Sequence, residues 1–180
     1  MAFVNHWGQA GLMHAEDTDD EALARGRALS SPLRIRILRY CLHEARTNKE
    51  IAQRFDLNPA TSLHHVRTLA DAGFLAAQPE RRGTRGAREV PYLATRLSWS
   101  TPMPPGTTLI DAFLADLEGV APDQLQTVRL GIKLNTEHRR TLLARIEAVL
   151  EEYAAMPADA DGEPTSIFFA HHPDLTARDR

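Results

Sequence analysis

The stretch NPATSLHHVRTLADAGFL, from Asn58 to Leu75, decides the fold of this chain. It begins with an asparagine and a proline, which favour the N-cap and the first position of a helix. Ala72 and Gly73 then end that helix, because glycine readily adopts the left-handed conformation that follows many helices. The stretch therefore predicts a short helix over 59–72 that ends in a tight turn and enters a strand at Phe74.

The run RRGTRGAR, from Arg81 to Arg88, predicts the tip of a basic hairpin. Apolar and β-branched residues flank it at 74–77 and 90–95, and such residues are typical of strands. A helix suited to a major groove, placed beside a basic hairpin, indicates a winged helix-turn-helix that grips double-stranded DNA.

Three helices are predicted before this stretch. The first starts in the acidic residues 17–21, which suit the positive end of a helix dipole, and runs to Leu29. The second starts at Pro32 after a serine cap. The third opens with Thr47-Asn48-Lys49-Glu50, a capping box in which Thr47 and Glu50 each satisfy an orphan backbone N–H.

The charge distribution also favours a nucleic-acid partner, although the net charge of the whole chain is −3. Residues 25–96 contain 14 Lys/Arg and 6 Asp/Glu, a net charge of +8, whereas the rest of the chain has a net charge of −11. A basic central module between acidic ends fits a part that faces DNA, joined to parts that face elsewhere.

The outer face of the predicted recognition helix is small and polar near its N-terminus, which suits a major groove about 12 Å wide. Thr61 can hydrogen-bond a base edge or offer its methyl group to thymine. His64 and His65 can donate to guanine or phosphate. Surface histidines without a ligand are the alternative, but the capping box, turn and wing favour DNA. The predicted contacts on this helix are Ala60, Thr61, Ser62, His64, His65, Arg67 and Thr68.

Four arginines lie in the predicted wing, at a hairpin tip where they have no core to pack against. They can pair phosphates or enter a narrow, A·T-rich minor groove. These predicted contacts are Arg81, Arg82, Arg85 and Arg88.

The composition changes after Trp99. A proline-rich corner precedes three predicted helices, one at 109–117, one starting at Pro122 and a long one capped by Thr136, and then a predicted strand at 167–170. The chain is therefore predicted to be mainly α with a small β-hairpin wing. Its predicted parts are a mobile N-terminal arm (1–16), a winged helix-turn-helix domain (17–99) and a C-terminal helical dimerisation and effector region (100–180).

Residues 29–95 resemble the winged-helix domain of the ArsR-like (arsenic-repressor) family of bacterial transcriptional regulators. The matching pieces are LSSPLRIRIL, TNKEIAQRF and NPATSLHHVRTLADAGFL. Leu63-His64-His65-Val66 occupies the place of the family's Ser-His-His-Leu-like run, with Leu63 in place of the usual serine. The resemblance implies a homodimer that binds an imperfect inverted repeat and usually represses transcription. The final helix, together with the first, is expected to build the two-fold interface.

A metal- or small-molecule-responsive sensor is the alternative within the same fold. Many members of the family bind metal through a Cys-x-Cys-type pair near the helix before the recognition helix, but residues 48–54 contain no thiol. The single cysteine, Cys41, lies on an apolar stripe and is predicted to be a small buried hydrophobe. No metal or cofactor is assigned, since the remaining candidate ligands include no helical i, i+4 pair; they are His6, His14, His138, His171 and His172.

Other classes of protein find less support. The sequence has no Gly-x-Ser-x-Gly elbow, phosphate loop or His-Glu-x-x-His motif, so an enzyme is not indicated. No segment approaches the ~20 apolar residues that span a bilayer, no signal peptide is recognised, and one cysteine fits a reducing cytoplasm. A winged-helix module that binds only protein is the remaining rival, and the arginine-rich wing argues against it.

Overall fold

A computed structural model describes residues 19–83 and 86–176. The chain divides into two compact units, with the division between Asp116 and Leu117. The predicted arm at 1–16 and two positions at the wing tip, Thr84 and Arg85, lie outside the described residues.

The first unit is a winged helix-turn-helix, which confirms the predicted fold class. Strands β1, β5 and β2 form an antiparallel sheet in that order, and β3 pairs with β4 in a separate antiparallel hairpin. The helices described in this unit are α1 (Asp19–Leu29), α2 (Pro32–Tyr40), α3 (Asn48–Arg54), α4 (Pro59–Asp71) and α5 (Thr108–Asp116). The strands are β1 (Arg46–Thr47), β2 (Leu75–Ala77), β3 (Arg81–Arg82), β4 (Arg88–Glu89) and β5 (Pro91–Ala94).

One apolar core holds these helices to the sheet. Each of the first four helices buries large side chains there, and the turn before β2 contributes a phenylalanine. The largest fully buried side chains of this core are Phe74, Leu29, Ile37, Ile51, Leu69 and Val66. Val66 and Leu69 are both buried, so these two residues are where α4 packs on the core.

The predicted helix starts are confirmed by their side-chain caps. Asn58 Oδ1 accepts a hydrogen bond from the Ala60 backbone N–H at 2.8 Å. Thr47 and Glu50 form the full capping box of α3. Because each cap depends only on residues a few positions apart, the sequence alone specifies where these helices begin.

Two left-handed residues end the helices of the motif. Asp56, at φ +50°, follows α3, and the N–H of Leu57 donates to the Ala52 carbonyl at 2.8 Å. Gly73, at φ +80°, follows α4 in the same way. The second of these turns sends the chain from α4 directly into β2, as the sequence predicts.

The second unit contains α6 (Thr136–Ala155), whose N-cap is Asn135, one residue before the predicted cap. The helix predicted from Pro122 is wrong, because only a short 3-10 turn forms at Pro122–Gln124 and residues 125–135 have no regular secondary structure. Apolar side chains alternate along residues 128–134, a period of two that does not suit a helix. The predicted strand at 167–170 is likewise irregular. None of the described helices is both long enough and apolar enough to cross a membrane.

Candidate nucleic-acid interface

Two polar links fix the start of α4 against the start of α3. The Asn48 side chain donates to the Pro59 carbonyl at 3.0 Å, and the Ser62 hydroxyl donates to the Asn48 carbonyl at 3.3 Å. Ser62 is fully buried, which leaves its hydroxyl no access to a DNA groove. Ser62 is therefore corrected from a predicted DNA contact to a link between the two helices.

The outer face of α4 carries the other predicted contacts. Ala60, Thr61, His64 and Arg67 are exposed, whereas His65 and Thr68 are half-buried. The Thr68 hydroxyl donates to the His64 carbonyl at 2.9 Å, so it can offer only lone pairs to a ligand. The N-terminal half of the helix thus presents small and hydrogen-bonding side chains without a bulky obstacle, as entry into a major groove requires.

His65 differs electrostatically from an ordinary surface histidine. Its Nδ1 is buried and has no hydrogen-bond partner among the described residues. Burial, followed by the charges of Arg34 and His64, lowers the pKa of His65. The guanidinium of Arg34 is held in place by the carbonyls of Ala28 and Arg27, each at 2.6 Å, at the end of α1. His65 is therefore neutral over a wider pH range than a free histidine and can act as a neutral hydrogen-bonding group.

The wing places two arginines directly opposite each other. In the β3–β4 hairpin, Arg82 pairs in register with Arg88. Both side chains are exposed, and Arg88 has an acidic neighbour, Glu80, at 3.6 Å. Among the described residues, Arg82 has neither an ion pair nor a side-chain hydrogen bond. Arg85, the remaining arginine of the predicted tip, lies outside the described residues.

Arg81, although on the same hairpin, is occupied by an interaction within the protein. Its Nη2 lies 2.8 Å from both carboxylate oxygens of Glu50, which also accepts from the Thr47 backbone N–H at 2.7 Å. Partial burial acts to raise the pKa of Glu50, but the hydrogen bonds from Thr47 and the charge of Arg81 outweigh it and the pKa is lowered. The capping role of Glu50 is predictable from the sequence, whereas its ion pair with Arg81, 31 positions away, is not.

The candidate metal ligands give no metal centre in the part of the chain that is described, which contains no group of three or more His, Cys, Asp or Glu suited to an ion. His6 and His14 lie outside the described residues. Cys41 is fully buried, and burial raises the pKa of its thiol to about 12. Its full burial in the apolar core fits the small buried hydrophobe predicted from the sequence.

Comparison with known proteins matches the same region. Residues 29–77 fit the family model of a helix-turn-helix domain, which confirms the resemblance stated above over the helix-turn-helix itself. No curated protein matches the chain.

Two solved structures are similar to part of the chain. Reduced HlyU from Vibrio cholerae N16961 is 17% identical, with 57% of this chain and 92% of that chain covered and a TM-score of 0.36. The homodimeric winged helix-turn-helix DNA-binding domain of Mb0332 from Mycobacterium bovis, a possible ArsR-family transcriptional regulator, is 20% identical, with 64% and 99% covered and a TM-score of 0.36. The strand register, the α3–α4 links and the family-model match together define the class: a winged helix-turn-helix protein.

Proposed function

We propose that this protein is a non-enzymatic, sequence-specific DNA-binding transcriptional regulator that acts in the cytoplasm. The observation that carries the proposal is the pairing of an exposed, hydrogen-bonding face on α4 with an exposed arginine pair on the adjoining wing. In such a complex Thr61 and His64 contact base edges in the major groove. Arg82 and Arg88 contact the flanking phosphates and fix the register of the protein on the duplex.

We further propose that two copies bind an imperfect inverted repeat and repress transcription. Two recognition helices engage successive major grooves when they are about 34 Å apart, so the dimer interface sets the operator spacing. Any effector would act by shifting the population of dimers with that spacing.

The experiment that tests this proposal is the selection of bound fragments from genomic DNA by the full chain, followed by sequencing and footprinting. The expected result is enrichment of a two-fold symmetric site whose half-sites lie about one helical turn apart. A matched selection with an Arg82→Ala, Arg88→Ala double variant should recover far less DNA of every sequence. Recovery of unenriched bulk DNA by the unaltered protein would count against sequence-specific recognition.

A further inference from the structure

The wing hairpin has two chemically different faces. Successive side chains of a strand point to opposite sides, so Arg81 and Arg82 in β3 face in opposite directions. The cross-strand partner of Arg81 is Glu89, whereas the partner of Arg82 is Arg88. One face therefore combines arginine with carboxylates, and the other presents two guanidinium groups together.

The carboxylate-bearing face turns toward α3. The Arg81 guanidinium bridges to Glu50 with 2.8 Å contacts to both carboxylate oxygens, across 31 positions of sequence. Glu50 is itself fixed, because Thr47 donates to it from both its backbone N–H and its hydroxyl. Arg81 is therefore tied to a rigid point on the helix-turn-helix rather than to a flexible surface side chain.

The first turn of α3 contacts both elements that face DNA. Glu50 holds the wing through Arg81, and Asn48, two residues earlier, holds the start of α4 through the Pro59 carbonyl and the Ser62 hydroxyl. A shift of the wing relative to α4 would have to break contacts at this one turn. The arrangement gives the recognition helix and the wing a common anchor.

The opposite face has the reverse character. Like charges directly across a strand pair destabilise it, and Arg82 and Arg88 are such a pair. The acidic neighbour of Arg88 is exposed and 3.6 Å away, so it neutralises this pair only weakly. An anion placed between the two guanidinium groups relieves the repulsion, and a DNA phosphate has the charge and the acceptor oxygens to do so.

We propose that the two faces have separate roles: Arg81 is a positioning residue that anchors the wing to α3 through Glu50, whereas Arg82 and Arg88 form the phosphate-binding pair. This inference rests on the proposed DNA-binding function. It assigns to Arg81 a role other than the phosphate contact expected from the sequence. Because Arg81 keeps its internal partner in the complex, it releases no counterion from DNA.

The test measures DNA affinity as a function of salt concentration for Arg81→Gln, with Arg82→Gln as the matched control on the same strand. Replacing a phosphate contact lowers the salt slope by about 1, so Arg82→Gln and Arg88→Gln should each do so. Arg81→Gln should weaken binding to all sequences while leaving the slope unchanged. A slope that falls by about 1 in Arg81→Gln would overturn the positioning role.

A double-mutant cycle then asks whether Arg81 acts through Glu50. Glu50→Gln suits the purpose because glutamine also completes a capping box, so α3 keeps its N-terminal cap while the ion pair is lost. In the Glu50→Gln background, Arg81→Gln should cause no further loss of DNA affinity. Additive losses would show that Arg81 acts independently of Glu50 and would contradict the inference.

A measurement without DNA separates this inference from the proposed function. The Gly83 N–H donates to the Ala87 carbonyl at 2.8 Å within the hairpin, so its hydrogen exchange reports on the wing. Arg81→Gln and Glu50→Gln should each accelerate this exchange to the same extent, and Arg82→Gln should not. Unchanged exchange in Arg81→Gln would contradict the anchoring role of Arg81, even if the protein binds DNA. Absence of DNA binding by the unaltered protein would instead remove the proposed function.

Discussion

Gly73 is the residue at which α4 turns into β2, and the turn requires a positive φ there, which favours glycine. At φ +80° an alanine costs about 1–2 kcal/mol, because its Cβ crowds the following carbonyl oxygen. A Cβ there would lie 3.4 Å from Leu97 Cδ2, an ordinary contact, so backbone strain dominates. We expect Gly73→Ala to lower the free energy of unfolding by about this amount in a urea titration.

Gly26 provides the matched control for that prediction. It lies inside α1, and a Cβ added to it meets nothing within 4 Å. Gly26→Ala should therefore raise the free energy of unfolding by about 0.5–1 kcal/mol through improved helix propensity. Destabilisation of similar size in both variants would show that the left-handed backbone at Gly73 is not what matters.

Neighbouring residues on α4 have opposite environments, which makes Thr61 and Ser62 a second matched pair. Thr61 is exposed on the outer face, whereas the buried Ser62 hydroxyl links α4 to α3. Thr61→Ala should relax sequence preference at one base pair by about 0.5–1.5 kcal/mol, the net contribution of one hydrogen bond, with little change in unfolding. Ser62→Ala should cost about 1 kcal/mol of stability and leave the preferred bases unaltered.

Two measurements distinguish these outcomes: urea unfolding of each variant, and selection from DNA with a randomised half-site. A changed base preference in Ser62→Ala, with stability intact, would restore Ser62 as a DNA contact. An unaltered preference in Thr61→Ala would remove Thr61 from the proposed interface.

At the scale of elements, the first turn of α3 makes stability depend on pH through Glu50. Its pKa in the fold lies below the ordinary value of 4.5, so the unfolded chain binds protons more tightly in that range. The stabilisation is fully present above 4.5 and is lost as the pH falls through the lowered pKa of the folded state.

Urea unfolding across the acid range, compared with Glu50→Gln, measures this contribution. The variant should show a shallower loss of unfolding free energy as the pH falls from 5 toward 3, roughly the window in which an ordinary glutamate takes up its proton. Parallel curves for the two proteins would show that the Thr47 and Arg81 contacts do not stabilise the ionised carboxylate.

Elements specified by neighbouring residues were predictable from the sequence. The capping box of α3, the asparagine cap of α4 and the glycine after it each act within one turn of the chain, so pattern alone located these helices. The Arg81–Glu50 and Ser62–Asn48 contacts join residues 31 and 14 positions apart. Such contacts depend on hairpin register and helix packing, which no local pattern contains.

In the segment after α5, a local pattern predicted a helix that does not form. The apolar residues at 125, 128 and 132 have helical spacing and favour the helix predicted from Pro122, but apolar residues also alternate from 128 to 134. Exposed fractions of 96% for Val128 and 71% for Leu130 show that the second unit does not bury these side chains by itself. Helical spacing over so short a run did not discriminate between the two periods.

At the scale of the whole molecule, exposed apolar side chains bear on the proposed dimer. On α6, Val149 and Tyr153 lie four positions apart and are about half exposed, at 53% and 57%, and the C-cap residue Met156 that follows the helix is 47% exposed. Residues so spaced share one face of a helix. On α1, Leu23 is likewise 52% exposed. Each of these two faces, considered by itself, is a candidate for burial against a second copy, as the sequence analysis expects of the first and the final helix.

The acidic double variant Val149→Glu, Tyr153→Glu tests this proposal, because carboxylates cannot be buried against a second copy without a large desolvation cost. Ala144→Glu is the control, since Ala144 is exposed on the opposite face of α6. In sedimentation at micromolar concentration, the unaltered protein and the control should be dimers and the double variant a monomer.

DNA binding supplies the second readout for the same variants, and it separates assembly from recognition. A monomer retains one recognition helix and one wing, so it should still favour a half-site over random DNA. It should lose the tighter binding to the full inverted repeat, because linking two sites multiplies their affinities through effective concentration. A double variant that remains dimeric would place the interface elsewhere in the chain. A monomeric unaltered protein that nevertheless binds the full repeat tightly would contradict the dimer proposal itself.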